Sequence, residues 1–221
     1  MDKRDVHISK SLSYLLRHGA LKENLLVDNN GYVPVIQLLS HNRLKTHKTT
    51  IQDLERVVAN NDKQRFKFNE AHDMLAAVQG HSIEITPDST TLTPIKNLEQ
   101  LPNALIHGTN LKNLGLILES GGIKKMDRLH IHLSPGIVGV DKEVISGMRK
   151  NSTVLIYLRL GDDLIKNLHL YKSLNNVYLC SDTIPLKDFD RIVIRKVTNL
   201  EAKYGKTLEL LNKFEITYQI E

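Results

Sequence analysis

The chain has 221 residues, 41% hydrophobic and 25% charged, which is enough apolar material for one large or two modest packed domains and too much for a disordered or collagen-like chain. Its single cysteine, Cys180, rules out an internal disulfide, and a net charge of +5, divided as +2 up to Leu98 and +3 beyond, permits a polyanionic partner without supplying a basic tail. No run approaches the about 18 uncharged apolar residues of a membrane span, and no apolar stretch follows the charged start, so the expected setting is the cytoplasm, or the nucleus in a eukaryote.

In chain order, Ile8, Leu12, Leu15 and Leu16 recur at helical spacing, with Gly19 as the expected stop. Asp28-Asn29-Asn30-Gly31 signals a turn, leading through Tyr32-Val33-Pro34-Val35 into a short apolar helix through Leu38 and Leu39. Thr50 opens a further helix with Asp53 near N3 and Ile51, Leu54, Val57 and Val58 inward, and Asn60-Asn61-Asp62 ends it. Residues 65–68 and 73–78 read as strands joined by a polar turn at Asn69-Glu70. Helices followed by a hairpin predict a winged-helix-like lobe over residues 1–90, a shape used on nucleic acid. The Thr- and Pro-rich stretch 84–102 reads as a linker, with Pro87 and Pro94 favouring extended backbone, and residues 91–103 are the expected connection. Beyond it, Val-, Ile- and Leu-rich runs at 104–106, 130–133, 154–160, 177–179 and 191–194 read as strands. Helical patterns lie at 111–119 and around 144–148, and a last helix is expected to open at Asn199. Residues 104–221 thus form a mixed, mainly antiparallel β lobe, and the fold class is α+β.

The motif survey excludes several chemistries. No Gly-x-Gly-x-x-Gly occurs, and Gly205-Lys206-Thr207 has Leu200 where a phosphate loop begins with glycine. His130-x-His132 offers two nitrogens on one strand face, but no cysteine or carboxylate stands at metal-ligand spacing, so no metal is expected. Cys180, in an apolar run, reads as a buried inert thiol. Arg17-His18 closes the first helix, where cations also simply complement the helix dipole. His107-Gly108-Thr109 places an imidazole, a bare backbone and a hydroxyl together at a strand end, groups that suit a ribose and a carboxamide and equally a plain turn. The absence of tryptophan and 5% aromatic content argue against a base-stacking platform.

Taken jointly, the motifs resemble a known family. Ser11-Leu12-Ser13-Tyr14-Leu15-Leu16-Arg17-His18, Asn61-Asp62-Lys63-Gln64-Arg65-Phe66 and Gln79-Gly80-His81-Ser82 are similar to N-terminal motifs of the RNA 2′-phosphotransferases. His107-Gly108-Thr109, the Arg128 to Ser134 run, Ser146-Gly147-Met148-Arg149 and Tyr171-x-Ser173-x-Asn175 are similar to the C-terminal ones, in the same order, over about residues 5–196. Ala76-Ala77-Val78, before Gln79, departs from the family, which more often has a basic residue and an asparagine there.

The resemblance implies a winged-helix RNA lobe and an ADP-ribosyltransferase-like lobe, with the active site in a cleft between them. It implies removal of an internal RNA 2′-phosphate, as at a tRNA splice junction, with NAD⁺ consumed as co-substrate and no metal. The 2′-phosphate attacks the nicotinamide ribose C1″ and expels nicotinamide. The ribose O2″ then attacks phosphorus, releasing 2′-OH RNA and ADP-ribose 1″,2″-cyclic phosphate. The catalytic set carried over is Arg17, His18, Arg65 and Arg128. Arg17, Arg65 and Arg128 are assigned to the 2′-phosphate, and Lys63 is placed nearby. His107, Gly108, Thr109, Ser120, Ile123, His130, His132 and Ser134 are assigned to NAD⁺, with core packing as the alternative for Ile123. The expected partners are 2′-phosphorylated, tRNA-like RNA and NAD, with no membrane and a monomeric chain. The rival readings are ADP-ribosylation of nucleic-acid ends, which stops after the first step, and a non-catalytic winged-helix nucleic-acid binder.

Overall fold

A computed structural model of the chain describes residues 2–85, 91–196 and 200–221. Two units emerge, one comprising Met1–Leu92 with Asp127–Leu129 and the other Thr93–Met126 with His130–Glu221.

In the first unit, α1 (Lys3–Tyr14) starts at Asp2, whose carboxylate accepts the Asp5 amide, and it buries Ile8 and Leu12. Helical winding ends at Gly19, as expected, although that glycine is not a left-handed cap. Leu15–Gly19 is a π-helical turn, and turns follow as far as Asn24, in the left-handed region at φ 57°. The Asn24 and Leu25 amides donate back to the Leu21 and Ala20 carbonyls, the Schellman arrangement, and Leu25 packs into the same cluster as Ala20. Gly19 answers a different demand, since a Cβ there would strike the Tyr14 ring, which lies 4.1 Å from the Arg43 guanidinium. The Asp28 turn forms as expected, its carboxylate accepting the Asn30 and Tyr32 amides, with Gly31 at φ 86°.

There follow β1 (Tyr32–Pro34), α2 (Val35–Ser40), α3 (Asn42–Lys45), α4 (Ile51–Ala59), β2 (Phe66–Phe68) and β3 (Met74–Ala77). The strands make an antiparallel sheet in the order β1-β3-β2, with Ala76 opposite both Tyr32 and Lys67. β1 escapes a periodicity search because it has three residues and ends in proline, which an edge strand tolerates. Leu12, Leu16, Leu38, Leu54 and Leu75 are among the residues of the core beneath. α1 is tied to α4 by carboxylates. Asp53 shares a capping box with Thr50, takes both Arg4 Nη atoms at 2.7 and 2.6 Å, and accepts Arg56 at 2.7 Å. Arg56 also donates to Asp5 at 2.7 and 3.1 Å.

In the second unit the residues expected to be a linker are partly folded: Leu92–Pro94 is β4, at the edge of a sheet, and Ile95 is buried in the core. Thr/Pro composition hid an edge strand, where a missing proline N–H costs nothing. Further on come β5 (Ile106–Thr109), α5 (Leu111–Glu119), β6 (Gly122–Ile123), β7 (Ile131–Leu133), β8 (Val154–Leu158), α6 (Asp162–Asn167), β9 (Leu170–Ser173), β10 (Tyr178–Cys180), β11 (Ile184–Pro185), β12 (Phe189–Ile194), α7 (Leu200–Lys213) and β13 (Tyr218–Ile220). One sheet has the order β4-β9-β10-β7 and another β13-β12-β8-β5, with β6 and β11 paired apart. Ile106 and Ser134 exchange both backbone hydrogen bonds at 2.9 Å, joining β5 to the end of β7. β12 pairs antiparallel with β8 and parallel with β13.

Two expectations change here. β5 runs from Ile106 to Thr109, later than the expected 104–106, and it ends in His107-Gly108-Thr109 as the sequence implied. Residues 144–148 are not helical, because Gly147, at φ 110°, lies against Ser134 and breaks the turn. Gly205-Lys206-Thr207 lies within α7, with Lys206 paired to Glu119 at 2.7 Å and Thr207 buried. Pro87 and Asn199 lie outside the described residues. Among the described residues no helix is long and apolar enough to cross a membrane.

The Asp53 cluster generates a stability prediction. The Arg4 hydrogen bonds hold the Asp53 carboxyl far below the carboxylate range, and those of Arg56 lower Asp5. A lowered folded-state pKa contributes stability that is full above the unfolded value of about 3.9 and is lost progressively as pH falls below it towards the folded value. Asp53→Ala should cost about 1–2 kcal/mol at pH 7 through the lost cap. Thermal melts of both proteins between pH 7 and pH 3 should show the difference shrinking on acidification; a constant difference would refute the charged role.

Candidate active site

Arg17 and His18 sit in the π-helical turn that ends α1. Such turns are rare and concentrate at functional sites. The Arg17 carbonyl accepts the amides of Ser82 (2.9 Å) and Ile83 (3.3 Å), so the 79–82 motif is fastened to the turn through backbone. Gly80, at φ 90°, brings bare backbone alongside the Arg17 side chain, an added Cβ lying 3.5 Å from its Nε. The guanidinium itself is left unanswered: Nε and Nη2 are buried and have no hydrogen-bond partner. Burial first, then repulsion by Arg65 and Arg128, brings its pKa down to about 10, so it stays cationic at neutral pH in surroundings that disfavour the charge.

The Arg65 side chain is half-buried at the start of the hairpin, with Nη1 donating to Asn61 Oδ1 at 2.9 Å. Burial lowers its pKa too, against a smaller upward pull from Asp62. Arg128 is exposed, in the Asp127–Leu129 segment that groups with the first unit, and the Leu129 amide donates to the His81 carbonyl at 3.0 Å. The exposed His18 ring has Nδ1 2.9 Å from Ser82 Oγ, and burial, Arg17 and Arg128 together push its pKa down, which keeps it neutral at pH 7. Lys63 lies on the same turn as Arg65, its amide held by Asn61 Oδ1 at 3.2 Å. Four of the five residues expected to be catalytic or phosphate-binding are therefore linked by charge: Arg17 feels Arg65 and Arg128, and His18 feels Arg17 and Arg128. Such a cluster suits a compact dianion, which guanidinium forks meet in two places at once.

In the second unit the assigned residues separate. His107 Nδ1 lies 3.1 Å from the His132 carbonyl, which can only accept, so Nδ1 carries the proton and Nε2 is a bare acceptor. Burial keeps that ring neutral. His130 stands edge-on to Tyr171 at 5.7 Å, and burial lowers its pKa, with Lys125 a smaller cause. His132 is opposite Leu179 in the β7–β10 pair. Thr109 holds the Thr153 amide through its carbonyl. The other four meet structural demands. A Cβ on Gly108 would meet Met148 and Ser152 at 2.6–3.0 Å, so packing alone requires the glycine. Ser134 is fully buried with its hydroxyl donated to the Ser146 carbonyl at 3.2 Å. Ser120 donates within its own turn, to Ile117 or Gly122, and Ile123 is 2% exposed in the core. Ser173 and Asn175 are spent on the β9–β10 turn, Ser173 Oγ lying 2.8 Å from both Asn175 Oδ1 and the Val177 carbonyl. Cys180 is fully buried, its thiol pushed up to about 12, which makes it inert at neutral pH. Among the described residues no group of three or more His, Cys, Asp or Glu side chains is placed to hold a metal ion.

Sequence reading passed over Ser9 and, as a functional side chain, Asn61. Both are buried and connect to Arg65. Their only signal in the sequence was that Asn61 opens the motif that Arg65 nearly closes.

A family model described as RNA 2′-phosphotransferase, Tpt1/KptA family, matches residues 3–182. A tRNA 2′-phosphotransferase of Saccharomyces cerevisiae is 48% identical over 220 residues, covering 97% of this chain and 95% of the relative. The tRNA 2′-phosphotransferase 1 of Danio rerio is 39% identical over 183 residues, covering 80% and 79%. That of Mus musculus is 38% identical over 180 residues, covering 80% and 70%.

The unanswered guanidinium yields a prediction that needs no turnover. Arg17→Met keeps an apolar stem and removes a charge the fold disfavours, so its stability should equal or exceed that of the wild type, by about 1 kcal/mol on the scale of one pKa unit. Millimolar inorganic phosphate should raise the melting temperature of the wild type and leave Arg17→Met unmoved. A variant several degrees less stable would mean that Arg17 is structural.

Proposed function

Because this chain belongs to the RNA 2′-phosphotransferase, Tpt1/KptA family, and so removes the 2′-phosphate of RNA in an NAD-dependent reaction, we propose that Arg17, Arg65 and Arg128 hold that phosphate through both of its displacements, with His18 beside them. The observation that carries this is the buried, partnerless Arg17 guanidinium next to two further arginines. The cost of keeping it there is recovered only when an anion arrives. The first unit is read as a winged-helix-like RNA lobe, supported by α1–α4 and the β1-β3-β2 sheet. The second is read as an ADP-ribosyltransferase-like lobe, supported by its mixed sheets and the His107 acceptor.

A 2′-phosphate dianion is nucleophilic without a general base, so the first step asks the chain only for alignment and charge neutralisation. Bound NAD⁺ supplies an electrophilic ribose carbon and a neutral leaving group, nicotinamide. His107 Nε2 is free to accept a ribose hydroxyl, and Thr109, His130 and Tyr171 belong to the same reading. In the second step a P–O bond forms to the ribose O2″ and the P–O2′ bond to RNA breaks, so the O2″ proton must leave and O2′ must gain one. A neutral His18 accepts the first and can return it to the second. The forks of Arg65 and Arg128 disperse charge on phosphorus, work done by Mg²⁺ in many phosphoryl-transfer sites.

The two steps place different loads on the arginines. Losing one electrostatic donor costs about 10²–10³ in rate, and the second step, at phosphorus, should bear most of it. With a short RNA carrying an internal 2′-phosphate and NAD⁺, Arg65→Ala or Arg128→Ala should build up a slower-migrating 2′-phospho-ADP-ribosylated RNA that the wild type consumes. Lysine at either place should rescue in part. Parallel loss of both steps in every arginine variant, without that band, contradicts the division of labour. Termination after the first step in the wild type would favour ADP-ribosylation of nucleic-acid ends. His107→Ala should weaken NAD⁺ use while leaving affinity for the 2′-phosphorylated RNA within about two-fold; equal losses in titrations of both ligands would exclude the NAD⁺ assignment.

A further inference from the structure

The structure assigns Asn61 a positioning role: its side-chain amide, anchored on Ser9, aims the Arg65 guanidinium at the phosphate. Arg65 leaves the chain at a turn with Gln64 at φ 44°, and its flexible side chain needs a fixed point to present one face of its fork. Asn61 supplies that point. It is 3% exposed, and its Oδ1 accepts both Arg65 Nη1 at 2.9 Å and the Lys63 amide at 3.2 Å. Both partners are donors only, so the amide orientation is dictated: oxygen toward Arg65, nitrogen away. Nδ2 then meets Ser9 Oγ at 3.3 Å, and Ser9, 7% exposed, is fixed on α1.

The consequence is a relay from α1 through a buried amide to the guanidinium. α1 also leads into the turn that bears Arg17, so one helix sets the register of both arginines. One neutral acceptor holds one end of the fork without cancelling its charge. A carboxylate at the same place would hold Arg65 equally well but neutralise it, spending the charge the phosphate needs. That explains an amide where ion-pairing chemistry alone would favour aspartate.

The inference rests on Arg65 acting on the phosphate, and the experiment separates the two. Single-turnover rates of both steps are measured for Asn61→Ala, Arg65→Ala and the double variant, with a thermal melt of each. Asn61→Ala should slow the phosphorus step by about ten-fold, the scale on which loss of an orienting partner is felt, and show a weaker form of the Arg65→Ala adduct band. In the Arg65→Ala background the same change should cost less than about two-fold, since nothing remains to be aimed. Asn61→Asp, which preserves both accepted hydrogen bonds, should melt like the wild type yet bind 2′-phosphorylated RNA more weakly. If Asn61→Ala fails to fold, Ser9→Ala replaces it, with a smaller slowing that again vanishes without Arg65. Equal slowing with and without Arg65 overturns the relay and leaves Asn61 as a helix-end residue. A normal phosphorus step in Arg65→Ala removes the premise and the relay together. A slow Arg65→Ala with normal, well-folded Asn61→Ala and Ser9→Ala defeats the relay alone.

Discussion

Like charges gathered in a partly desolvated place repel, and the candidate site of this chain depends on a scaffold that holds them there regardless. Arg17 has burial against it and two other arginines near it, and no carboxylate answers it among the described residues. What fixes it is backbone: a π-helical turn whose carbonyl is taken by the Ser82 and Ile83 amides, and a bare approach at Gly80. Fixing charged groups through uncharged neighbours keeps their full field available to a ligand.

The same helix shows the opposite arrangement at its other end. Arg4 meets the buried carboxylate of Asp53 in a two-pronged pair, and Asp53 and Asp5 share Arg56. There arginine chemistry is spent on stability. At Arg17, about 13 residues and 20 Å along α1, it is withheld. A chain of marginal stability can carry a partnerless guanidinium because such clusters elsewhere offset the cost.

The second unit divides the residues of its motifs between chemistry and architecture. The His107 ring, with its tautomer set by a carbonyl, leaves one nitrogen to accept. Gly108, Ser134, Ser173 and Asn175 are occupied by packing or turn formation. Motif residues around a site are thus partly there to shape strands and turns, and sequence resemblance does not sort one kind from the other.

What the sequence determined by itself is what short-range physics writes: the apolar faces of α1 and α4, the Thr50–Asp53 cap, the Asp28 turn, the β2–β3 hairpin, the span of α5 and the ordered motifs of the family. Each follows from periodicity or from hydrogen bonds a few residues apart, which a local reading contains. The tertiary structure alone decided that the turn leading to Gly19 is π-helical, that β1, β9 and β13 are strands, and that Arg128 groups with the first unit. It alone showed Asn61 beneath Arg65, through a bond to Ser9 that spans 52 positions, and the Arg17 carbonyl serving Ser82 across 65. No window along the chain sees such contacts, because their energy exists only after packing has closed the distance.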